Sequence, residues 1–210
     1  SAQNVVKKTT LEHETNVKIR NVCRSINFAR VVTRKLYIKR KNKKDRWFFL
    51  FLRKRGYKMI KIDSLVLGPY ATNCYLLWKD DHVLIVDPGS KSNKIHQLIV
   101  LFNGVVDGIY LTHGHFDHIA GVDAMVDHYH CPVYMNELDM PLLINPYLNV
   151  SAGSGLGDVV VKSKVNALAP GINNIGAFSF ELVDAPGHSE GSSLMLWENN
   201  MICGDVIFKG

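Results

Sequence analysis

The sequence predicts an α/β fold, because segments patterned as buried strands alternate with segments of helical periodicity. The clearest strand is Val105–Leu111, a mostly apolar run of the length that is typical of a buried strand. Two segments carry apolar residues at near-helical spacing: Ile95, Leu98, Ile99 and Phe102 before the strand, and Ile119, Val122, Val126 and Tyr129 after it. This order of helix, strand and helix is typical of α/β proteins, which place ligand sites where a strand turns into a helix.

The elements before Val105 are predicted in order along the chain. A first strand begins at Ile60, where Ile60 and Ile62 alternate with polar residues and Leu65–Leu67 follows. A hairpin follows, with strands Asn73–Trp78 and His82–Val86 joined by a turn at Lys79–Asp81. Ser92 is the expected N-cap of the first amphipathic helix.

The elements after the second helix are shorter. Pro132–Met135 is predicted as a strand, and Asn136 as the cap of a brief helix that ends near Leu143. Asn145–Lys164 is rich in Gly, Ser and Asn and predicts a loop over the functional site. The last predicted strands are Phe178–Val183, Ser193–Trp197 and Met201–Cys203.

The segment Thr112–His118 follows the strand Val105–Leu111 and holds three histidines and an aspartate. Imidazole nitrogens and carboxylate oxygens are the ligands that bind Zn²⁺ and non-haem iron. In extended backbone, residues two apart point the same way, so His113 and His115 can bind one metal. Asp117 and His118 come after the turn and could present ligands to a second metal, roughly 3.5–4 Å from the first.

Two downstream residues are the expected remaining ligands. His188 lies on a Pro/Gly turn after the strand Phe178–Val183, and Asp205 follows the strand Met201–Cys203. Each would be weak evidence alone, because a lone histidine or aspartate near a turn is usually a surface residue. The upstream segment Thr112–His118 makes each the predicted next ligand.

These motifs together resemble the metallo-β-lactamase superfamily, and more closely its glyoxalase II-like (hydroxyacylglutathione hydrolase-like) metallohydrolases. The matching pieces run in the family's order: Asn73–Leu77, Val86–Gly89, Thr112–His118, Gly187-His188 and Gly204-Asp205. The resemblance covers about residues 59–210. It implies an αββα sandwich whose C-terminal part is missing, because members of the family continue beyond the point where this sequence stops.

The resemblance also implies a ligand set. One metal is expected on His113, His115 and His188, and a second on Asp117 and His118, with Asp205 bridging both. Asp117 and Asp205 are the expected catalytic carboxylates, and Asp87 is expected to be buried and to orient ligating histidines. The family uses one more histidine late in the chain, whereas this sequence has none after His188. Two divalent ions are expected, with Zn²⁺ favoured and Fe or Mn as alternatives.

The activity that the resemblance implies is hydrolysis of a small-molecule thioester of the hydroxyacyl-thiol type by attack of metal-bound hydroxide. Three alternatives stay open. An iron-dependent persulfide (sulfur) dioxygenase would use His113, His188 and Asp205 around one iron. A ribonuclease of the same superfamily would account for the basic amino end, and a fragment that binds metal without turnover would be inactive. The sequence does not assign residues to substrate binding.

Charge divides the chain at residue 58. Residues 1–58 hold 18 Lys/Arg and 3 Asp/Glu, a net charge of +15, whereas residues 59–210 hold 7 Lys/Arg and 16 Asp/Glu, a net charge of −9. A basic arm is typical of nucleic-acid binding. Since family-like sequence begins directly at Met59, we predict that residues 1–58 are a non-native or disordered extension, and nucleic acid is an expected partner only if they are native.

Two further features concern the cellular setting. The apolar run Trp47–Leu52 is far shorter than the about 20 residues that span a bilayer, so no membrane association is expected. The four cysteines include no Cys-x-x-Cys pair and do not predict a disulfide framework. Reduced thiols in a cytoplasmic protein are the simplest interpretation.

Overall fold

A computed structural model describes residues 60–208 of the protein. The basic segment 1–58 and its boundary at Met59 lie outside these residues, so their predictions stay predictions. The described part forms two β-sheets with helices on one of them. Among residues 60–208, no helix combines the length and the apolar character that crossing a bilayer requires.

The strands of the first sheet are β1 (Lys61–Leu67), β2 (Thr72–Lys79), β3 (His82–Val86), β4 (Val105–Leu111), β5 (Val133–Asn136) and β6 (Val165–Leu168). Those of the second sheet are β7 (Gly171–Ile175), β8 (Phe178–Asp184), β9 (Ser193–Trp197) and β10 (Asn200–Ile202). The α-helices are α1 (Asn93–Leu101), α2 (Phe116–Ile119) and α3 (Val122–Tyr129). Two 3-10 helices cover Glu137–Ile144 and Gly204–Val206.

The first sheet has the order β1-β2-β3-β4-β5-β6, and the second has the order β10-β9-β8-β7. Strands β3 to β6 are parallel neighbours, whereas the pairs β1–β2 and β2–β3 and all pairs of the second sheet are antiparallel. The carboxyl ends of β3, β4 and β5 therefore meet at one edge of the first sheet. Ligand sites of α/β proteins tend to lie at this edge.

Strand β2 is covered on both faces of the first sheet, which accounts for its central apolar run Cys74–Trp78. Its residues alternate between the two faces. Cys74, Leu76 and Trp78 pack in the cluster that also holds Ile95 of α1. Leu77 packs in a second cluster between the two sheets, whose members from the second sheet include Phe178, Phe180, Leu182, Met195 and Trp197. Each fully buried side chain of this kind contributes about 1.5–3 kcal/mol.

The α/β prediction is confirmed, and the described residues form the helix–sheet–sheet layers of the expected αββα sandwich. Strands β3, β4 and β9 have the predicted bounds, and the ends of the other predicted strands lie within one residue of the observed ones. Both predicted caps are present: Ser92 Oγ accepts from Lys94 N at the start of α1, and Asn136 Oδ1 accepts from Leu138 N. The helix that follows Asn136 is a 3-10 helix and contains Pro141.

The single helix expected over 119–129 is divided in two, with a break at Ala120-Gly121 between α2 and α3. Gly121 N donates to Pro88 O at 2.7 Å, so the backbone at the break contacts the turn that follows β3. A Cβ at Gly121 would lie 2.5 Å from Pro88 O and from Ser90 O. Glycine is therefore required by close approach to the Asp87 turn, which apolar periodicity does not reveal.

Strands β6 and β7 were not predicted from the sequence. β6 begins at Val165, directly after the segment predicted as a loop, and pairs with β5 in parallel. β7 has the sequence Gly-Ile-Asn-Asn-Ile and pairs with β8. Both strands are short and β7 is poor in apolar residues, so tertiary pairing rather than local pattern decides their conformation.

Candidate metal centre

The residues of the candidate site come from loops at the carboxyl ends of strands. Thr112–His115 follows β4, and α2 begins at Phe116, so Asp117 and His118 lie in its single short turn. His188 lies in the loop between β8 and β9, and Asp205 lies in the 3-10 helix after β10. Thr112 O accepts from Ser193 N at 3.0 Å, which joins β9 to the end of β4.

The three histidines that the sequence analysis assigned to the first metal lie close together and form the first ligand cluster. His115 Nδ1 lies 2.8 Å from His188 Nε2, and His188 Nε2 lies 3.2 Å from His113 Nε2. One ligand atom from each residue lies within 4.8 Å of the other two. Metal–nitrogen bonds of about 2.0–2.1 Å place the ligand atoms of a tetrahedral zinc about 3.3 Å apart, so these nitrogens fit one metal.

His118 and Asp205 form a second cluster that also includes His113. His118 Nε2 lies 3.4 Å from Asp205 Oδ1, and Asp205 Oδ2 lies 3.6 Å from His188 Nε2. Asp205 therefore faces both clusters, which is the position that a bridging ligand needs. The participation of His113 in the second cluster was not predicted from the sequence.

Asp117 lies beside this second cluster without joining either triplet in the described residues. Its Oδ2 is 3.6 Å from His118 Nε2 and accepts a hydrogen bond from Thr72 Oγ1 at 2.6 Å. Thr72 is the first residue of β2, so this hydrogen bond links that strand to α2. The other carboxylate oxygen of Asp117 has no hydrogen bond among those resolved, which leaves it for a metal or a water.

Asp87 fixes the orientation of His118. Asp87 is 1% exposed and adopts a left-handed backbone conformation, with φ of 49°. Its oxygens accept from Thr112 N at 2.8 Å and Thr112 Oγ1 at 2.7 Å, and His118 Nδ1 lies 3.0 Å away. With Nδ1–H donated to Asp87, His118 turns Nε2 toward Asp205 and Asp117, which is how ligating histidines are usually oriented.

Thr112 extends the same arrangement to His113. Its hydroxyl donates to Asp87, so its oxygen can accept from His113 Nδ1, which lies 3.1 Å away. His113 then carries its proton on Nδ1 and turns an unprotonated Nε2 toward His188. The buried carboxylate of Asp87 thus orients His118 directly and sets the tautomer of His113 through Thr112.

The charges of the site favour a cation. Burial lowers the pKa of His113 far below its usual value, so its ligand nitrogen stays neutral. Burial also lowers the pKa of His118, but the charge of Asp87 and hydrogen bonds with Asp205 and Asp87 outweigh it and raise the pKa to about 10. The pKa of Asp205 is lowered, first by its hydrogen bond with His118. A divalent metal would displace the proton of His118 and would then lie between neutral imidazoles and ionised carboxylates.

A cavity of about 190 Å³ opens beside the second cluster. Asp117, His118 and Asp205 line its inner side, and Tyr70 and Phe208 line its outer side. Tyr147, which lies in the loop predicted to cover the site, is 85% exposed and does not line this cavity. The cavity gives a small molecule access to the carboxylates and to His118.

Sequence reasoning assigned no role to Thr72, Thr112 or Asp139, although each makes a hydrogen bond to a residue of the segment Thr112–His118. Asp139 accepts from Gly114 N at 2.8 Å, although 25 residues separate them. Thr112 directly precedes His113 and carried a signal, since a hydroxyl next to a buried ligand can hydrogen-bond to it. Thr72 and Asp139 carried none, because their contacts depend on the fold.

A helix–sheet–sheet fold with histidines and aspartates clustered at its strand ends is the arrangement that the resemblance of the sequence motifs predicts. The chain belongs to the metallo-β-lactamase superfamily, whose profile matches residues 67–210. The resemblance of the sequence motifs to this superfamily is thereby confirmed, and the chain is a metallohydrolase of that family.

Two protein relatives show the range within the family. The chain is 38% identical over 157 residues to the probable metallo-hydrolase YqgX of Bacillus subtilis, and the match covers 72% of this chain and 73% of that protein. It is 30% identical over 137 residues to a hydroxyacylglutathione hydrolase of Aeromonas hydrophila, covering 64% of this chain and 46% of the relative. This chain therefore spans less than half the length of the second relative.

Two solved structures share the fold. The B3 metallo-β-lactamase BLEG-1 superposes with a TM-score of 0.67 at 31% identity, covering 71% of this chain and 74% of that one. TTHA1623, solved in a di-iron-bound form, superposes with a TM-score of 0.57 at 30% identity, covering 64% of this chain and 66% of that one. Of these two structures of the same fold, one is thus described as a β-lactamase and the other in a di-iron-bound form.

Proposed function

We propose that this metallohydrolase cleaves small thioesters of the hydroxyacyl-thiol type. The observation that carries the proposal is the pair of ligand triplets that share His113 and meet at Asp205, beside a cavity of about 190 Å³. Two such triplets suit two metals close together, the arrangement that binds a carbonyl oxygen and activates water. The relatives named hydroxyacylglutathione hydrolases support the thioester class.

In this proposal, His113, His115 and His188 would hold the first metal, and His118 with Asp117 would hold the second. Asp205 would bridge them. When bound, divalent ions lower the pKa of a coordinated water to about 7 and polarise the substrate carbonyl. Nitrogen and oxygen donors of this kind suit Zn²⁺, Fe or Mn, and we propose Zn²⁺ as the working metal.

The chain's own residues would position the water and the substrate. Asp117 is anchored through Oδ2 by Thr72, and its other oxygen would accept the proton that the attacking water loses. Tyr70 and Phe208 would contact the substrate at the outer side of the cavity. Tyr70 is held by an edge-to-face contact with Phe116, whose ring centroid lies 5.1 Å away.

Water is the proposed nucleophile because the described residues offer no activated side chain. Cys74, Cys131 and Cys203 are buried. Burial raises the pKa of Cys74 well above its usual value and that of Cys131 to about 11, so neither forms a thiolate at neutral pH. A thiolate leaving group departs with little help from an acid, which suits a site without a dedicated proton donor.

The iron-dependent persulfide dioxygenase is the second candidate, and the di-iron-bound form of TTHA1623 is the observation that favours iron here. His113, His188 and Asp205 would form the two-histidine, one-carboxylate ligand set of such an iron site. His188 Nε2 lies 3.2 Å from His113 Nε2 and 3.6 Å from Asp205 Oδ2. The two candidates differ in metal and in co-substrate, so one set of assays separates them.

The test loads the full chain with Zn²⁺, Fe²⁺ or Mn²⁺ and measures turnover of a hydroxyacyl thioester. A β-lactam, a structured RNA and a persulfide with recorded oxygen uptake serve as the competing substrates. We expect thioester hydrolysis without oxygen uptake, and loss of that activity in His115→Ala. His96→Ala is the matched control, since His96 lies on α1 outside both triplets.

Four results would contradict the proposal. Iron-dependent oxygen uptake with persulfide would support the dioxygenase, and cleavage of the β-lactam or RNA in place of the thioester would change the substrate class. Metal binding without turnover of any substrate would support the inactive fragment. Full activity in His115→Ala would remove the metal site itself from the mechanism.

A further inference from the structure

Asp139 is a buried carboxylate in the 3-10 helix Glu137–Ile144 that lies outside both ligand triplets. It is 0% exposed. Burial of an ionised carboxylate costs several kcal/mol unless hydrogen bonds satisfy its oxygens. The hydrogen-bond partners of Asp139 therefore indicate what its burial stabilises.

Those partners belong to both loops that carry the first metal's ligands. Oδ2 accepts from Gly114 N at 2.8 Å and from Ser189 Oγ at 2.6 Å, and Oδ1 accepts from Gly191 N at 2.6 Å. Gly114 lies between His113 and His115, and Ser189 directly follows His188. One carboxylate thus joins two loops that are separated by more than 70 residues in the chain.

The packing around Asp139 gives independent evidence of a close fit. A Cβ at Gly114 would lie 2.6 Å from Leu142 Cβ and 3.0 Å from Asp139 O. A Cβ at Gly191 would lie 2.6 Å from Asp139 N. Both loops therefore contact the 3-10 helix through glycines, where no larger residue fits without displacement of the backbone.

His188 depends on this arrangement more than the other two histidines. Its residue is exposed, whereas His113 is buried and His115 is half-buried. A buried ligand is held by packing, but an exposed ligand is held mainly by the backbone that carries it. The backbone of loop 188–192 is anchored to Asp139 at Ser189 and Gly191.

We infer that Asp139 is a positioning residue that holds the His113–His115 segment and loop 188–192 in the geometry that binds the first metal. The inference rests on the proposed metal site of His113, His115 and His188. Removal of residues that orient metal ligands typically weakens metal binding about 10–100-fold, because the free protein then samples geometries that do not bind.

The test uses Asp139→Asn, which keeps the shape but replaces one acceptor oxygen with an amide donor that faces other donors. Ser189→Ala removes one of the three bonds from a partly exposed position. Asp123→Asn is a matched control. Asp123 also accepts from two backbone N–H groups and a serine hydroxyl, those of Lys162 and Ser163, and it lies on α3 outside both triplets.

Zinc affinity of each full-length variant is measured by competition with a chromophoric chelator, and metal-free thermal stability is measured alongside. We expect Asp139→Asn to bind zinc about 10–100-fold more weakly and Ser189→Ala to show a smaller loss. Asp123→Asn should lose thermal stability and keep the wild-type affinity. Wild-type affinity in Asp139→Asn with reduced stability would make Asp139 a purely structural residue and overturn the inference.

The test also remains decisive if Asp139→Asn does not fold. Ser189→Ala then decides the matter, and an unchanged zinc affinity in that variant overturns the inference. Different results would contradict the role of Asp139 and the proposed function. A wild-type protein that binds zinc but cleaves no thioester contradicts the substrate class, whereas equal zinc affinities contradict the role of Asp139.

Discussion

Two histidine–aspartate pairs lie at opposite ends of the neighbouring parallel strands β3 and β4. At the amino ends, His82 Nδ1 lies 2.7 Å from Asp107 Oδ1. Just beyond the carboxyl ends, His118 Nδ1 lies 3.0 Å from Asp87 Oδ2. The pairs share their chemistry and differ in surroundings, since the His82 side chain is 42% exposed and the His118 side chain is 4% exposed.

The second nitrogen of each ring explains why only one pair lies in a candidate site. His118 Nε2 faces Asp205 at 3.4 Å and Asp117 at 3.6 Å. His82 belongs to neither ligand triplet of the described residues. Asp107 also accepts from Ala177 N at 2.6 Å, so that pair stabilises the turn between β7 and β8. The buried pair of His118 and Asp87 directs the second ring nitrogen of His118 toward carboxylates. The exposed pair of His82 and Asp107 stabilises a loop instead.

The largest expected difference between the two ends concerns activity. His113→Ala removes the ligand that both triplets share, and we expect thioester hydrolysis to fall by at least about 10²–10³-fold, as for loss of a group that stabilises the transition state. His82→Ala should keep wild-type kcat/KM. Steady-state kinetics of both variants measures the difference, and equal activities would show that the carboxyl-end cluster is not the reaction centre.

The metal affinities of the Asp87 and Asp107 variants should also differ, by a smaller factor than the activities of the histidine variants. Asp87→Asn replaces an oxygen that orients His118 and Thr112, and we expect the second metal to bind about 10–100-fold more weakly. Asp107→Asn removes a similar buried carboxylate at the other end and should leave metal affinity unchanged. Titration of the metal-free proteins with Zn²⁺ tests this, and parallel losses in both variants would indicate general destabilisation.

The sequence predicted which candidate ligands lie close together, and it left most of the contacts that support them unpredicted. His113, His115 and His118 are close in the chain, so local geometry was enough to group them. His188 and Asp205 were placed by their positions after strands and by the family resemblance. The bonds from Thr72 to Asp117 and from Asp139 to Gly114 cross 45 and 25 residues.

The fold shows the same division. Long apolar strands such as β4 were predicted because a run of apolar residues indicates a buried strand. The break at Gly121 was missed because it depends on the approach of Pro88 O, and β7 was missed because Gly-Ile-Asn-Asn-Ile has no strand-like alternation. Local pattern predicts elements whose own residues form the core, and it fails where a distant partner decides the conformation.

The smallest expected effect is the pH dependence of the amino-end pair. The hydrogen bond to Asp107 raises the pKa of His82 above 6.5. The pair therefore contributes its full stability below pH 6.5 and loses it as pH rises through the raised pKa. Because His82 is exposed, the contribution is about 0.2–1 kcal/mol. NMR titration should give a lower His82 pKa in Asp107→Asn, and an unchanged pKa would contradict the pairing.

X-ray absorption of the zinc-loaded full chain tests the central claim most directly, because it reports the atoms bound to the metal. The structure leads us to expect nitrogen and oxygen ligands at about 2.0–2.1 Å, with outer-shell scattering from several imidazoles that decreases in His113→Ala. Zinc–sulfur distances of about 2.3 Å, or imidazole scattering that His113→Ala leaves unchanged, would contradict a metal centre built from His113, His115, His118 and His188.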